Sequence, residues 1–374
     1  MALPHPEFAM AVSQNSPRLD RTPQAGHPNQ ATSASPSMAS ESPLIAVVGP
    51  VVRDLRVIVL PGQPKRGKLL SRFRTEWGGA VRNVSRAIAD YGGRPRPSFQ
   101  LGCDHASDAA MEALGDEFST AQFDRCYGDL RESVILPDGL TFTSRPSLQR
   151  DHIHEPLRAL ISTTTWTVIA PLAADDFAFV EDGLRVAPRS LLMLSRQQAA
   201  APSRALRLML AADVTVLNHE EAEVLSGCSD PHFMVVKLRD LGCQGVVITT
   251  PMGAEAYLGG ELYSVPALDV GPTRQTSGAE DCCTGVMVTA WAAGLSWRAG
   301  LELGQAAAAR HVAQLAALRS LEVLRDWAEL QPQVTALDHT ALPAARTLTF
   351  PRRHVVAAAV GAGLASFLLL GLLV

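Results

Sequence analysis

The sequence predicts an α/β protein built on a mostly parallel sheet, and two observations carry that expectation. Short β-branched runs recur through the middle of the chain, at 44-LIAVV-48, 55-LRVIVL-60, 166-WTVIA-170, 191-LLML-194, 213-DVTVL-217 and 245-GVVIT-249. Amphipathic stretches at 80–91, 106–118, 203–212, 219–226 and 230–241 lie between them and read as helices. Strands alternating with helices of this length imply βαβ units and parallel pairing. Two long Ala-rich helices follow, at about 279–293 and 298–319, with no internal repeat. A chain of 374 residues with 47% hydrophobic and 19% charged side chains can bury a full core.

The composition changes sharply at both ends. Residues 1–43 are rich in Ser, Pro, Ala, Gln and Asn without apolar periodicity, and read as a disordered lead. They hold no unbroken apolar run of the kind a secretory signal requires. Arg18, Arg21 and the many serines would suit an organelle leader, whereas Glu7, Asp20 and Glu41 count against one. At the other end, 355-VVAAAVGAGLASFLLLGLLV-374 carries no charge. As a helix it would cover about 30 Å, the thickness of a bilayer's hydrocarbon core. Residues 354–374 are therefore expected to form a single-pass C-terminal transmembrane anchor, a buried helix of the globular domain being the alternative. Arg352 and Arg353 just before it place the folded domain on the cytoplasmic side of the membrane. Residues 330–353, with Pro332 and Pro343, read as a linker, which leaves 44–329 as the folded domain.

Charge narrows the partners. A net charge of −4 and aromatics at 5% give neither the basic footprint nor the stacking platforms of a nucleic-acid binder. Cys103, Cys126, Cys228, Cys243, Cys282 and Cys283 form no CxxC and no metal spacing, and read as reduced thiols.

The stretch 275-QTSGAEDCCTGVMVTAWAAG-294 carries the most chemistry. A turn of small residues runs into a helix with Asp281 in its first turn. Free N–H groups and the dipole at a helix start make an anion site. An acid there is either a capping charge or a base facing a bound anion. Three other segments bear on that choice: 49-GPVVRDL-55, 78-GGAVRNVSRAIADYGG-93 and 218-NHEEAEVLSG-227. In this order, over residues 44–320, the four resemble the PfkB/ribokinase-like family of carbohydrate and nucleoside kinases. Arg82-Asn83 is similar to pseudouridine-kinase-like members of that family.

The resemblance implies a three-layer α/β sandwich of ribokinase-like type, with a small β lid from 55–75 and 131–145. It implies ATP and Mg²⁺ as cofactors, a sugar, nucleoside or related polyol as substrate, and leaves room for a homodimer. Asp54, Gly78, Gly79 and Asn83 would bind substrate: a carboxylate accepts strongly from hydroxyls, paired glycines admit close backbone approach, and an amide both donates and accepts. Asn218 and Glu221, at i, i+3 on one helical face, would organise Mg²⁺ around the phosphates, with Glu221 nearest the metal. Thr249 and Gly253 would belong to the nucleotide turn. Asp281 would take the proton of the attacking hydroxyl while the N–H groups of Gly278, Ala279, Glu280 and Asp281 hold charge on the phosphoryl group.

Two residues depart from the pattern. Glu280 stands where the family has a second Gly, and an ionised carboxylate 4 Å from another negative charge is repelled by about 4 kcal/mol at an effective dielectric of 20. A rotamer turned to solvent would escape most of that. In 249-TTPMGAE-255, Pro251 replaces a Gly and removes an N–H from a phosphate-facing loop. A catalytically impaired relative that binds nucleotide or sugar as a membrane-tethered sensor or scaffold is the alternative function.

Overall fold

The computed structural model describes residues 42–60, 71–136, 141–144, 148, 152–172, 176–271, 276–331 and 333. Most of the lead, Pro332, and everything beyond Gln333, including the expected anchor at 354–374, lie outside them. No helix among the described residues is long and apolar enough to cross a membrane.

Five of the six β-branched runs become strands of one sheet, and 55–60 falls in a second. Strands β1 (Leu44–Pro50), β4 (Arg94–Leu101), β5 (Gln122–Arg125), β8 (Trp166–Ile169), β9 (Ser190–Met193), β10 (Val214–Asn218) and β11 (Val246–Thr250) pair in parallel. A hairpin of β12 (Gly253–Leu258) and β13 (Glu261–Pro266) adds two antiparallel strands, giving the order β13-β12-β11-β10-β9-β8-β1-β4-β5. Along β1, Ile45 and Val47 face one layer, with Val84, Ile88, Met287 and Leu301, while Val48 faces the other, with Leu157, Val180 and Met209. The period-2 alternation of a strand thus divides one buried run between two helical layers, making the expected three-layer sandwich.

Strand β4 carries Pro95 and Pro97 and is invisible to periodicity. Alternate residues of a strand turn their backbone groups to opposite neighbours, and Arg94 N–H bonds Pro43 on the β1 side. The two prolines therefore aim their missing N–H at the other side. There β5 covers only Ser98–Leu101, and Pro95's carbonyl is met by the Thr120 hydroxyl.

Helices α1 (Ala80–Asp90), α2 (His105–Glu117), α9 (Ala279–Ala292) and α10 (Trp297–Val312) lie on the layer of Ile45 and Val47; α3 (Glu155–Ser162), α4 (Phe177–Val186), α5 (Arg196–Ala199), α6 (Pro202–Ala211), α7 (His219–Ser226) and α8 (Pro231–Asp240) lie on the other, and α11 (Leu321–Glu329) packs with α9 and α10. Helix α10 stops at Val312, short of the expected 319, because Gln314 and Arg319 take left-handed φ of 56° and 55°. The Arg310 guanidinium closes the turn by donating to the Ala316 carbonyl at 2.6 Å.

A second sheet, ordered β3-β2-β6-β7, forms the lid: β2 (Val52–Val59), β3 (Ser71–Gly78), β6 (Arg131–Ile135) and β7 (Thr141–Thr143). Strand β1 ends at Pro50, and Asp54 lies on β2, within the lid.

Candidate active site

The site is assembled where the lid, α1 and α9 converge. Asp54 on β2 pairs across to Glu76 on β3, two residues before the Gly78-Gly79 turn. A Cβ on Gly78 would stand 2.1 Å from Asp54 Oδ2, and Gly79 has φ 97° with a Cβ position 2.7 Å from the Pro50 carbonyl. A side chain at Gly79 would strike backbone, and one at Gly78 would displace the Asp54 carboxylate. The turn therefore brings lid, β1 and the start of α1 into backbone contact.

One turn into α1, Asn83 Nδ2–H donates to Asp281 Oδ2 at 2.8 Å, across 198 residues of sequence. This bond joins the expected substrate side to the expected catalytic side. Small residues make it reachable. A Cβ on Gly285 would lie 2.7 Å from Ala87 Cβ and 2.8 Å from the Val84 carbonyl, so α9 packs against α1 at glycine distance.

Helix α9 opens on Gly278, left-handed at φ 83°, and no side chain caps it. Ala279 N–H turns back to the Thr276 carbonyl at 3.1 Å, which takes one of the four expected anion-hole donors. Sequence reasoning missed a residue here. His311, in the last turn of α10, meets the Ser277 carbonyl through Nε2 at 2.8 Å and lies beside Gly278 and Asp281. Only the tertiary fold brings it there; an Ala-rich helix offers no spacing signal.

Asn218 and Glu221 do not share a helical face. Asn218 is the extended N-cap at the end of β10. The pair forms a reciprocal capping box: Asn218 N–H donates to Glu221 Oε2 at 3.1 Å and Glu221 N–H to Asn218 Oδ1 at 3.0 Å. Thr249 on β11 reaches the Leu217 carbonyl with its hydroxyl at 3.3 Å. Gly253 begins β12 with φ 136°, and a Cβ there would fall 2.1 Å from the Val265 carbonyl, so β13 occupies its side-chain space. Pro251 sits in the tight turn between β11 and β12, where Thr250 pairs with Gly253. A proline at that first turn position gives up no turn hydrogen bond.

Burial lifts the carboxyl groups of the site. Glu280, half-buried, is pushed up to about 8 by burial first, then by the charges of Glu221 and Asp281. Burial is the larger cause, and the two neighbouring acids add to it. At neutral pH it is mostly protonated, which removes the repulsion expected of an ionised side chain. Glu221 rises to about 7 through burial, against the Asn218 bonds. Asp281 is raised by burial, opposed by the Asn83 hydrogen bond and the charge of His311. Asp54 rises to about 6, again through burial, with Arg56 opposing. All six cysteines are free, and burial holds Cys282 up at about 12, so it is no thiolate nucleophile.

Residues 186–323 match the sequence signature described as pfkB family carbohydrate kinase. Among solved structures, a putative ribokinase from Agrobacterium tumefaciens is similar at a TM-score of 0.64 and 18% identity, over 77% of this chain and 98% of that one. The ribokinase of Thermotoga maritima is similar at 0.62 and 18%, over 76% and 99%. Phosphofructokinase-2 of Escherichia coli, in complex with fructose-6-phosphate, is similar at 0.59 and 18%, over 77% and 99%. No curated protein matches the chain by sequence.

The fold is ribokinase-like, and residues 186–323 carry the pfkB signature within it. The signature begins at residue 186, so Asp54, Gly78, Gly79 and Asn83 join it through the fold. The oxygen donors of the site suit Mg²⁺. Glu221 and Glu280, each raised by burial and by neighbouring acid charge, offer oxygen ligands of the kind a hard cation takes. Among the described residues no three His, Cys, Asp or Glu side chains could hold a metal by themselves. Glu221 would then contribute one carboxylate and nucleotide phosphates the rest, the usual division for Mg²⁺.

Proposed function

We propose that the protein phosphorylates a hydroxyl of a sugar, nucleoside or related polyol at the expense of ATP. The observation that carries this reading is the Asn83–Asp281 hydrogen bond, which sets a carboxyl at a helix N-terminus against the glycine turn below the lid. Bound Mg²⁺–ATP supplies the transferable phosphoryl group and the cation that offsets its charge. Asp54 and Asn83 bind substrate hydroxyls and orient one of them toward Asp281. The Asp281 carboxylate takes that hydroxyl's proton as its oxygen bonds to phosphorus and ADP departs. Burial suits Asp281 to this, since a raised pKa makes it a stronger base than a surface aspartate. The N–H groups at the start of α9 face the charge on the phosphoryl oxygens.

The test is ATP turnover by the purified full-length protein over a panel of sugars and nucleosides. Asp281→Asn should lower kcat by about 10²–10⁴-fold while nucleotide affinity is kept. Turnover that survives the substitution rejects the mechanism.

A second reading, binding without turnover, has one observation in its favour: Glu280 adds a third acid near enough to Glu221 and Asp281 to feel their charges. Nucleotide binding with no turnover of any substrate supports it. Residues 354–374 would tether the domain to the cytoplasmic face of a membrane, a reading that rests on the sequence alone. Extraction of the full chain from membranes by detergent but not by carbonate or high salt is the expected result.

A further inference from the structure

The lid strands pair so that residues two apart point to the same face, and cross-strand partners share it. Asp54 pairs with Glu76 and Ser133, Val52 with Arg131, Arg56 with Arg74, and Ile58 with Arg72. The face that carries Asp54 thus also carries Arg56, Arg72, Arg74 and Arg131 against two acids, Asp54 and Glu76. Glu76 is already engaged, with Arg74 at 2.9 Å and Arg56 at 3.8 Å. Asp54 is drawn to the Ser133 hydroxyl and acts on Arg131 through charge.

Arg131 stands apart from the other cations. Its guanidinium is half-buried and burial works against its charge. Its Nε is sealed from solvent with no hydrogen-bond partner among the described residues. A buried charged donor left unpaired is costly, more so than a neutral one. Of the two acids on this face, Glu76 is spent on other arginines, and Asp54 acts on Arg131 by charge without a hydrogen bond among the described residues. What the position lacks is an acceptor, and a planar guanidinium is matched best by a carboxylate or phosphate.

Resting on the kinase reading above, we infer that the substrate carries an anionic group, a phosphate or a carboxylate, which Arg131 binds with help from Arg56 while Asp54 holds a hydroxyl of the same molecule. A neutral polyol would satisfy Asp54 and leave Arg131 unmatched. An anionic one satisfies both and offsets the excess positive charge of this face. Substrate choice then lies in a lid strand whose sequence, 131-RESVI-135, gives no sign of it.

The test uses full-length protein and matched pairs: ribose and ribose 5-phosphate, fructose and fructose 6-phosphate, glucose and gluconate, inosine and inosine 5′-monophosphate. Binding is read by calorimetry without nucleotide, and turnover with Mg²⁺–ATP. One anionic member should bind at least about tenfold tighter than its neutral partner. The sugar phosphates and gluconate separate the two anion chemistries. Arg131→Met should erase most of that preference, and Arg56→Met part of it, with nucleotide affinity unchanged in both. Arg131→Lys should recover part of it for a phosphate. A neutral member bound or phosphorylated as well as its anionic partner overturns the inference and leaves the kinase reading standing. So does a preference that survives Arg131→Met. If Arg131→Met fails to fold, the wild-type pairs and Arg56→Met still decide. Failure of every pair, with ATP also unbound, overturns the kinase reading itself.

Discussion

Replacing Glu280 by Gln separates the effect of its charge from that of its shape. The carboxyl titrates at about 8 against an ordinary 4.5. Between those values the folded protein keeps a proton that the unfolded chain has released. The unfolded state binds fewer protons, so stability falls as pH rises from about 4.5 and levels off above 8. At about 1.4 kcal/mol per unit, the loss is about 1 kcal/mol at pH 5, about 3 at pH 7 and about 5 at pH 9. Gln cannot ionise. Urea unfolding of wild type and Glu280→Gln should therefore nearly coincide at pH 5 and diverge in favour of the variant up to pH 9. Nucleotide affinity follows the same charge. Mg²⁺–ATP binding by the wild type should weaken as pH climbs past 8, since an ionised carboxylate 4 Å from a phosphate oxygen costs about 4 kcal/mol at an effective dielectric of 20. The variant should show no such decline. A stability gap of equal size at pH 5 and pH 9 would mean that Glu280 ionises as a surface residue does, and the argument from its burial would fail.

Two further substitutions test how the site is held. His311→Phe removes the Nε2 contact with the Ser277 carbonyl that steadies the left-handed Gly278 turn; kcat should fall by about tenfold with both KM values nearly unchanged, and His311→Gln, which keeps a donor, should fall less. Gly285→Ala places a Cβ against Ala87 and the Val84 carbonyl and pushes α9 from α1; thermal unfolding should lose about 1–3 kcal/mol, and kcat should drop further than that loss accounts for, because the Asn83–Asp281 contact opens with it.

Element positions were legible where local signals set them, although the role of Asn218 and Glu221 as a capping box was not. Helix α7 is expected at 219–226 and found there, because Asn218 and Glu221 box its start and Gly227, left-handed at φ 69°, ends it. Strands β8 to β11 follow from their β-branched runs. Strand β4 was hidden because its prolines contradict strand propensity, and only the short reach of β5 makes them tolerable. Helix α10 was drawn too long because alanine continues a helical pattern past the point where Gln314 turns the chain. The ionisation of Glu280 was beyond the sequence for a different reason. Its repulsion was judged from charge, whereas its charge is itself decided by burial beside Glu221 and Asp281.

The positions that sequence reasoning reached least, Arg131 and His311, share one property: each acts through a partner more than 30 residues away that only packing delivers. Glycine does much of that delivery. Gly78 lets Asp54 close on the α1 turn, Gly285 lets α9 approach α1, and a Cβ on Gly304 would stand 2.5 Å from Met287, so α10 can approach α9. Three contacts at backbone distance thus set Asp54, Asn83, Asp281 and His311 around one space. A helix spaced by ordinary side chains would sit some ångströms farther out, beyond the 2.8 Å of the Asn83–Asp281 bond. The small residues that look featureless in the sequence are what turn separate polar groups into a site.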